Sequence, residues 1–360
     1  MSDALLSTLA EALAELVTTV ETSDDEVLDP DTAVKWLENT GHTLSRLGAA
    51  DRRALDGLFR EAALRQPPGP WREDLLMVSE GFGLTEDTHA AGCDAALEGA
   101  RRFAATVRAA DPATPVPTCP GWTLADLTRH LGTVHGWAEH VVRTGATARV
   151  LARDVPLDAP ADPAAYPDWL AAHAERFAAT ARGADPDAPV WSPGADPHIR
   201  HYPRHVLFET LVHLADAEIA VAGTAGPLDP GTAADAVDHF LGNAPYIPWI
   251  AEPLAHLDRD GAVLRLAARD TGAVWTLTLG GGGFTWSRES RESQAGPGSP
   301  GSPGGPGGSG SGGARPTAGV AADTGELLLL LHRRYAADDP RFTHTGDRDL
   351  LDDWLAATAL

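Results

Sequence analysis

Apolar residues recur at helical spacing through most of the chain, and the pattern changes to strand-like alternation only near residue 262. In the first stretch Leu5, Leu6, Leu9, Leu13, Leu16, Val17 and Val20 predict one amphipathic helix. A second helix is expected from Asp29-Pro30, where Asp is an N-cap and Pro opens the first turn. A third covers Asp51 to Leu64, and a short fourth runs from Trp71 to Phe82 after a Pro/Gly break at 66–70. Residues 1–88 thus read as a small helical module with no pair of ligand-type residues, a possible docking piece for a protein partner.

From His89 the pattern predicts a bundle. Helices are expected over 94–109, after Thr123, from Trp169 to Ala181, from Pro203 to Val221 and from Thr232 to Leu241, with Pro245 to Pro253 closing the set. Thr123 followed by Asp126 imitates a capping box. Residues 262–268, 273–279 and 284–288 alternate as short strands around Asp270-Thr-Gly and Gly280–Gly283 turns. Residues 293–314 are a Gly/Ser/Pro tract that cannot bury a core and is expected to be disordered; it reads as an insertion within one domain, with a linker between two domains as the alternative. Two helices, Thr324 to Tyr335 and Asp347 to Ala357, complete the chain. The expected fold class is multidomain and mainly α: module 1–88, bundle 89–256, and a small α+β domain 257–360.

The helix over Pro203 to Val221 is apolar nearly all round, which places it inside the bundle. His205, Glu209 and His213 follow at i, i+4 and Asp216 three residues later, so all four share an arc of about 80° at about 100° per residue. Buried imidazoles and carboxylates are costly unless they pair or bind a metal. Glu209 and His213 can share one ion from a single helical turn, with a third ligand from elsewhere. Alternatively His205 or His213 is a core histidine satisfied by Glu209 or Asp216. On the helix after Thr123, His130 and His135 flank the apolar face on opposite sides, and periodicity does not choose between them.

Composition narrows the functional classes. The 360 residues carry 28 Lys and Arg against 51 Asp and Glu, a formal charge of −23 that disfavours nucleic acid. Cys93 and Cys119 are no disulfide framework, and they suit a reducing cytoplasm. The N-terminal stretch lacks a basic n-region and reads as a helix and not a leader, and no run of about 18 apolar residues is present to span a membrane.

PTCPGWTLADLTRHLG at 117–132 and ETLVHLADAE at 209–218 resemble the mycothiol-dependent maleylpyruvate isomerase family, whose N-terminal domain is DinB-like. The likeness continues through LDPGTAADAVDHFL, Asp270, Trp275, ELLLLLHRR and Thr345-Gly346-Asp347, covering about residues 89–360. It implies a divalent metal, zinc by preference, on His130, Glu209 and His213, selecting His130 over His135. It also implies that Asp216 orients an imidazole, with plain helix packing as the alternative; His205, on the same face of the helix, is given a supporting role by its spacing. Arg334 falls where the family has an Arg that would contact an anionic substrate or the thiol cofactor; compensation of a helix dipole is the plainer reading. Cys119 is read as structural, because the family uses an external thiol. Arg204-His205 and Leu214-Ala215 depart from the common family residues at those places. The expected activity is mycothiol-dependent isomerisation or S-transfer on a small electrophile, with a non-catalytic metal-binding or interaction protein of the same fold as the alternative.

Overall fold

The structure is a computed structural model that describes residues 3–44, 47, 49–84, 88–289 and 316–359; the expected disordered tract at 293–314 lies outside these. The chain divides into two compact units, Met1–Gly92 with Ala184–Ala188, and Cys93–Gly183 with Pro189–Leu360. No helix among the described residues is long and apolar enough to cross a membrane.

The first unit contains α1 (Asp3–Glu21), α2 (Pro30–Leu44), α3 (Ala49–Arg65) and α4 (Pro70–Gly81). Its core joins Ala10, Ala14 and Val17 to Phe59, Ala63, Leu75 and Val78. Asp29 caps α2 as expected, accepting the Thr32 N–H at 3.0 Å. Leu9, Leu16 and Trp36 stay exposed on this unit.

The second unit is a helical bundle joined to a five-stranded sheet. Its helices are α5 (Thr88–Arg108, from Cys93 onward), α6 (Leu124–Thr144), α7 (Tyr166–Gly183), α8 (His201–Ala222), α9 (Pro230–Asn243) and α10 (Pro248–Ala255). Phe103 and Val107 of α5, Leu127 and Leu131 of α6, Leu170 of α7 and Leu214 of α8 meet in one core. Full burial of each such side chain contributes about 1.5–3 kcal/mol, enough to fix which face each helix turns inward. α8 starts two residues before the expected Pro203, because proline is tolerated in a first turn. That extension brings His201 into the helix.

The strands are β1 (Val263–Ala268), β2 (Val274–Gly280), β3 (Gly283–Glu289), β4 (Ala318–Ala322) and β5 (Thr343–Gly346). Their order is β3-β2-β1-β4-β5, with β1 parallel to β4 and every other pair antiparallel. Sequence reading misses β5, because Thr343-His-Thr-Gly is an edge strand without an apolar face. Two helices follow β4 and β5: α11 (Thr324–Leu331) and α12 (Arg348–Ala357). Leu327 to Leu331 are all buried, so α11 is enclosed. Asp270 fixes its start, accepting the Thr324 N–H at 3.0 Å and the Thr324 hydroxyl at 2.6 Å. Sheet and bundle are tied by Asp238 of α9, which accepts Trp275 Nε1 at 2.6 Å and Arg288 Nη1 at 2.7 Å.

Candidate metal centre

The Thr123 capping box forms as expected. Thr123 N donates to Asp126 Oδ2 at 3.1 Å, and Asp126 N donates to Thr123 Oγ1 at 3.3 Å. The α6 it starts carries His130 at the border of the buried face, with the side chain 37% exposed. Trp122 lies against its ring, centroids 5.2 Å apart, and His213 meets it edge-on at 4.8 Å. On α8, Glu209 Oε2 stands 3.9 Å from His130 Nε2 and 3.6 Å from His213 Nε2. One ligand atom from each of the three lies within 4.8 Å of the others. Ligands at about 2.0–2.1 Å around a tetrahedral Zn²⁺ are separated by about 3.3 Å. The donor set and spacing therefore fit one zinc ion after small side-chain movements, with a coordination position left open.

Asp216 completes the arrangement from beneath. It is fully buried and accepts His213 Nδ1–H at 2.8 Å, which leaves the Nε2 lone pair for a metal. Thr118 Oγ1 donates to Asp216 Oδ1 at 2.5 Å, and Arg334 donates from Nε and Nη2 at 2.9 and 2.8 Å. Burial by itself would raise the Asp216 carboxyl, but His213 and Arg334 hold it well below the usual range. Glu209 behaves alike: burial opposes its ionisation, and the imidazoles of His130 and His213 more than offset that. For His213, burial disfavours the cation, yet Asp216 and Glu209 raise its affinity for a proton. A proton therefore settles where a divalent cation would bind, and binding of the ion releases it.

Arg334 reaches Asp216 because of a turn that helical periodicity does not show. Arg333 adopts φ 60°, Arg334 N–H bonds to Leu329 O at 2.7 Å and Arg333 N–H to Leu330 O at 2.8 Å. This is a Schellman ending with an arginine in the left-handed position. It stops α11 at Leu331, short of the expected Tyr335. Arg334 Nη1 donates to His332 O at 2.6 Å, so every nitrogen of the guanidinium is engaged with the protein. Arg334 still lines the cavity of about 400 Å³ above the three ligand candidates, together with His332, Cys119 and Trp122. Burial, then the charge of Asp216, pushes the Cys119 thiol up to about 11, which keeps it protonated near neutral pH.

His135 and His205 lie elsewhere. His135 is fully buried on α6, with Nε2 3.0 Å from Thr210 Oγ1. The Thr210 hydroxyl donates to Val206 O at 2.6 Å, so it accepts from His135. His205 does not join the group around Glu209: it stacks on His201, centroids 5.3 Å apart, and faces a separate cavity. Thr118 and His332 are site residues that sequence reasoning did not single out. Both lie inside motifs that carry the family resemblance, which was their available signal.

Comparison with known proteins bears on the same segment. No curated protein matches the chain. A family model described as the mycothiol maleylpyruvate isomerase N-terminal domain matches residues 93–218, from the start of the second unit's α5 to the last turns of α8. The match contains His130, Glu209, His213 and Asp216. Over residues 93–218, about a third of its length, the chain is thus similar to the mycothiol maleylpyruvate isomerase N-terminal domain.

Proposed function

We propose that the chain is an enzyme that holds a zinc ion on His130, Glu209 and His213 and uses mycothiol to act on a small electrophile, as a maleylpyruvate isomerase-like isomerase or an S-transferase. The observation that carries this reading is the convergence of three ligand atoms within 4.8 Å, one of them backed by a buried carboxylate. His130, Glu209 and His213 would hold the zinc, which would supply the charge that keeps a thiol ionised and so available as a nucleophile toward an activated double bond or a carbon bearing a leaving group.

The chain's own residues prepare that chemistry. Asp216 holds the His213 tautomer, while Thr118 and Arg334 hold Asp216. The cavity of about 400 Å³ leaves room beside the three ligands for a sulfur and a small substrate. Cys119, the one thiol lining it, is kept protonated, which supports a nucleophile brought from outside the chain. His332 lines the same wall and is held neutral, burial and then Arg334 pushing it down to about 4, so it offers a hydrogen bond without a charge. The two free cysteines fit a reducing, cytoplasmic setting, in which a thiol cofactor stays reduced.

Cobalt substitution tests the reading. Mycothiol added to the Co²⁺-loaded protein should produce a sulfur-to-metal charge-transfer band, absent from His213→Ala and His130→Ala, which should each lose the ion at this site. Retention of all metal in both variants, or a cobalt spectrum indifferent to mycothiol, would sink it.

A further inference from the structure

A second histidine cluster lies one to two turns nearer the start of α8. His201 and His205 are one turn apart and stacked, with ring planes 22° from parallel. His239 of α9 comes within 5.4 Å of His201 and 5.7 Å of His205, measured between ring centroids. One nitrogen from each of the three lies within 4.8 Å of the others, and His239 Nε2 stands 3.5 Å from His205 Nδ1. These rings face a cavity of about 260 Å³ with apolar walls from Trp137, Phe208 and Phe240.

Hydrogen bonding among the three does not account for this grouping. The His239–His205 separation is at the long limit for such a bond. His201 Nε2 is buried and has no hydrogen-bond partner among the described residues. A buried polar atom without a protein partner calls for a water or an ion. Neutral imidazole is the form that binds metals, and a pocket with apolar walls favours it. The surroundings hold the cluster in place. A Cβ on Gly194 would sit 2.7 Å from His201 Cε1, so that loop passes the ring only as glycine. Asn243 Oδ1 accepts Ala195 N–H at 2.9 Å and its Nδ2 donates to His239 O at 2.7 Å, tying the loop to α9.

We propose that His201, His205 and His239 form a second site, for a borderline divalent transition metal such as Zn²⁺, distinct from the His130–Glu209–His213 centre. Three imidazoles are a ligand set that suits Zn²⁺, Co²⁺, Ni²⁺ or Cu²⁺ and leaves one position open to the cavity. Glu209 lines this cavity and the one above the first centre, so the two sites share a carboxylate wall.

The test is titration of chelator-treated full-length protein with Co²⁺ alone, counting equivalents by the visible d–d bands. Two equivalents are expected for the wild type, one for His239→Gln and for His201→Gln, and one for His213→Ala. A wild type that takes one equivalent, lost in His213→Ala and kept in His239→Gln, overturns the second site. So does a His239→Gln variant that still takes two. One equivalent lost in His239→Gln and kept in His213→Ala would establish this site while removing the first. Should the glutamine variants not fold, diethyl pyrocarbonate modification of the wild type decides the question. His201 and His239 should be protected when two equivalents of Co²⁺ are present, and equal modification with and without the metal overturns the proposal.

Discussion

Asp216 is the residue on which the candidate centre depends most. It has no exposed surface and accepts from Thr118, His213 and both arms of Arg334. Removing one partner of a buried ion pair leaves the other uncompensated, at a cost of about 3–5 kcal/mol. Asp216→Ala should therefore destabilise the protein by that order in urea unfolding. Through the freed His213 ring it should also weaken metal binding by about 10–100-fold. Asp216→Asn, which keeps the shape and part of the hydrogen bonding, should fold better and still bind metal poorly. Metal affinity unchanged in Asp216→Asn would assign the aspartate to packing alone. At this scale, much of the centre was legible before the structure. Glu209, His213 and Asp216 share a face by helical spacing alone. What spacing cannot show is a ligand's partner on another helix. His130 and His135 are about 140° apart on α6, and only the rotation of α6 about its axis decides which of them faces Glu209 and which meets Thr210. His205 shows the same limit: it shares the stripe with Glu209, yet His201 and His239 draw it to another cavity.

The rotation of α6 is set by its packing against α7. A Cβ on Gly132 would lie 2.2 Å from Trp169 Cζ3, and one on Gly136 would lie 2.6 Å from His173 Nδ1. Trp169 cannot swing away cheaply, because its Nε1 donates to Leu157 O at 2.9 Å. In an open helix, Gly→Ala stabilises by about 0.5–1 kcal/mol. Here overpacking of about 1–3 kcal/mol opposes that gain, so Gly132→Ala should lower stability by roughly 1–2 kcal/mol. It should also weaken metal binding, because His130 lies two residues away on the displaced helix. A raised melting temperature with unchanged metal content would show that α7 yields instead. Element boundaries were legible where a local interaction fixes them, as Thr123 does for α6, Asp29 for α2 and the glycine turns for β1 to β3. They were not legible at the end of α11, where the leucine run continues in pattern while Arg333 turns left-handed to deliver Arg334. Nor was β5, whose largely polar residues pair with the small apolar residues of β4 through backbone bonds.

Across the whole molecule, the fold buries imidazoles in their neutral form. Burial pushes His135 and His201 to about 3, and burial followed by the charge of Arg334 brings His332 to about 4. In the unfolded chain each returns to about 6.5. Between those values the unfolded state binds more protons, so stability must fall as pH drops below about 6.5. The three groups together imply an uptake on the order of three protons per unfolding event near pH 5. His213 has the opposite sign: its affinity is raised, so its contribution is complete below about 6.5 and fades as pH rises through its folded value. Asp216 and Glu209 are held low, and their stabilisation persists until pH falls below about 4. The order of loss on acidification is therefore histidines first and carboxylates afterwards. Relief of the −23 formal charge on approach to the isoelectric point near 4.8 works against this trend, and high salt screens it. Urea unfolding of the chelator-treated protein at high salt should thus show a midpoint that declines from pH 7 to pH 5. His135→Leu should flatten that decline by about one proton, since its ring is the most enclosed of the three and touches neither candidate metal set. A midpoint independent of pH over this interval would mean that the buried rings take up their protons without unfolding, and that the interior around α6 and α8 admits water.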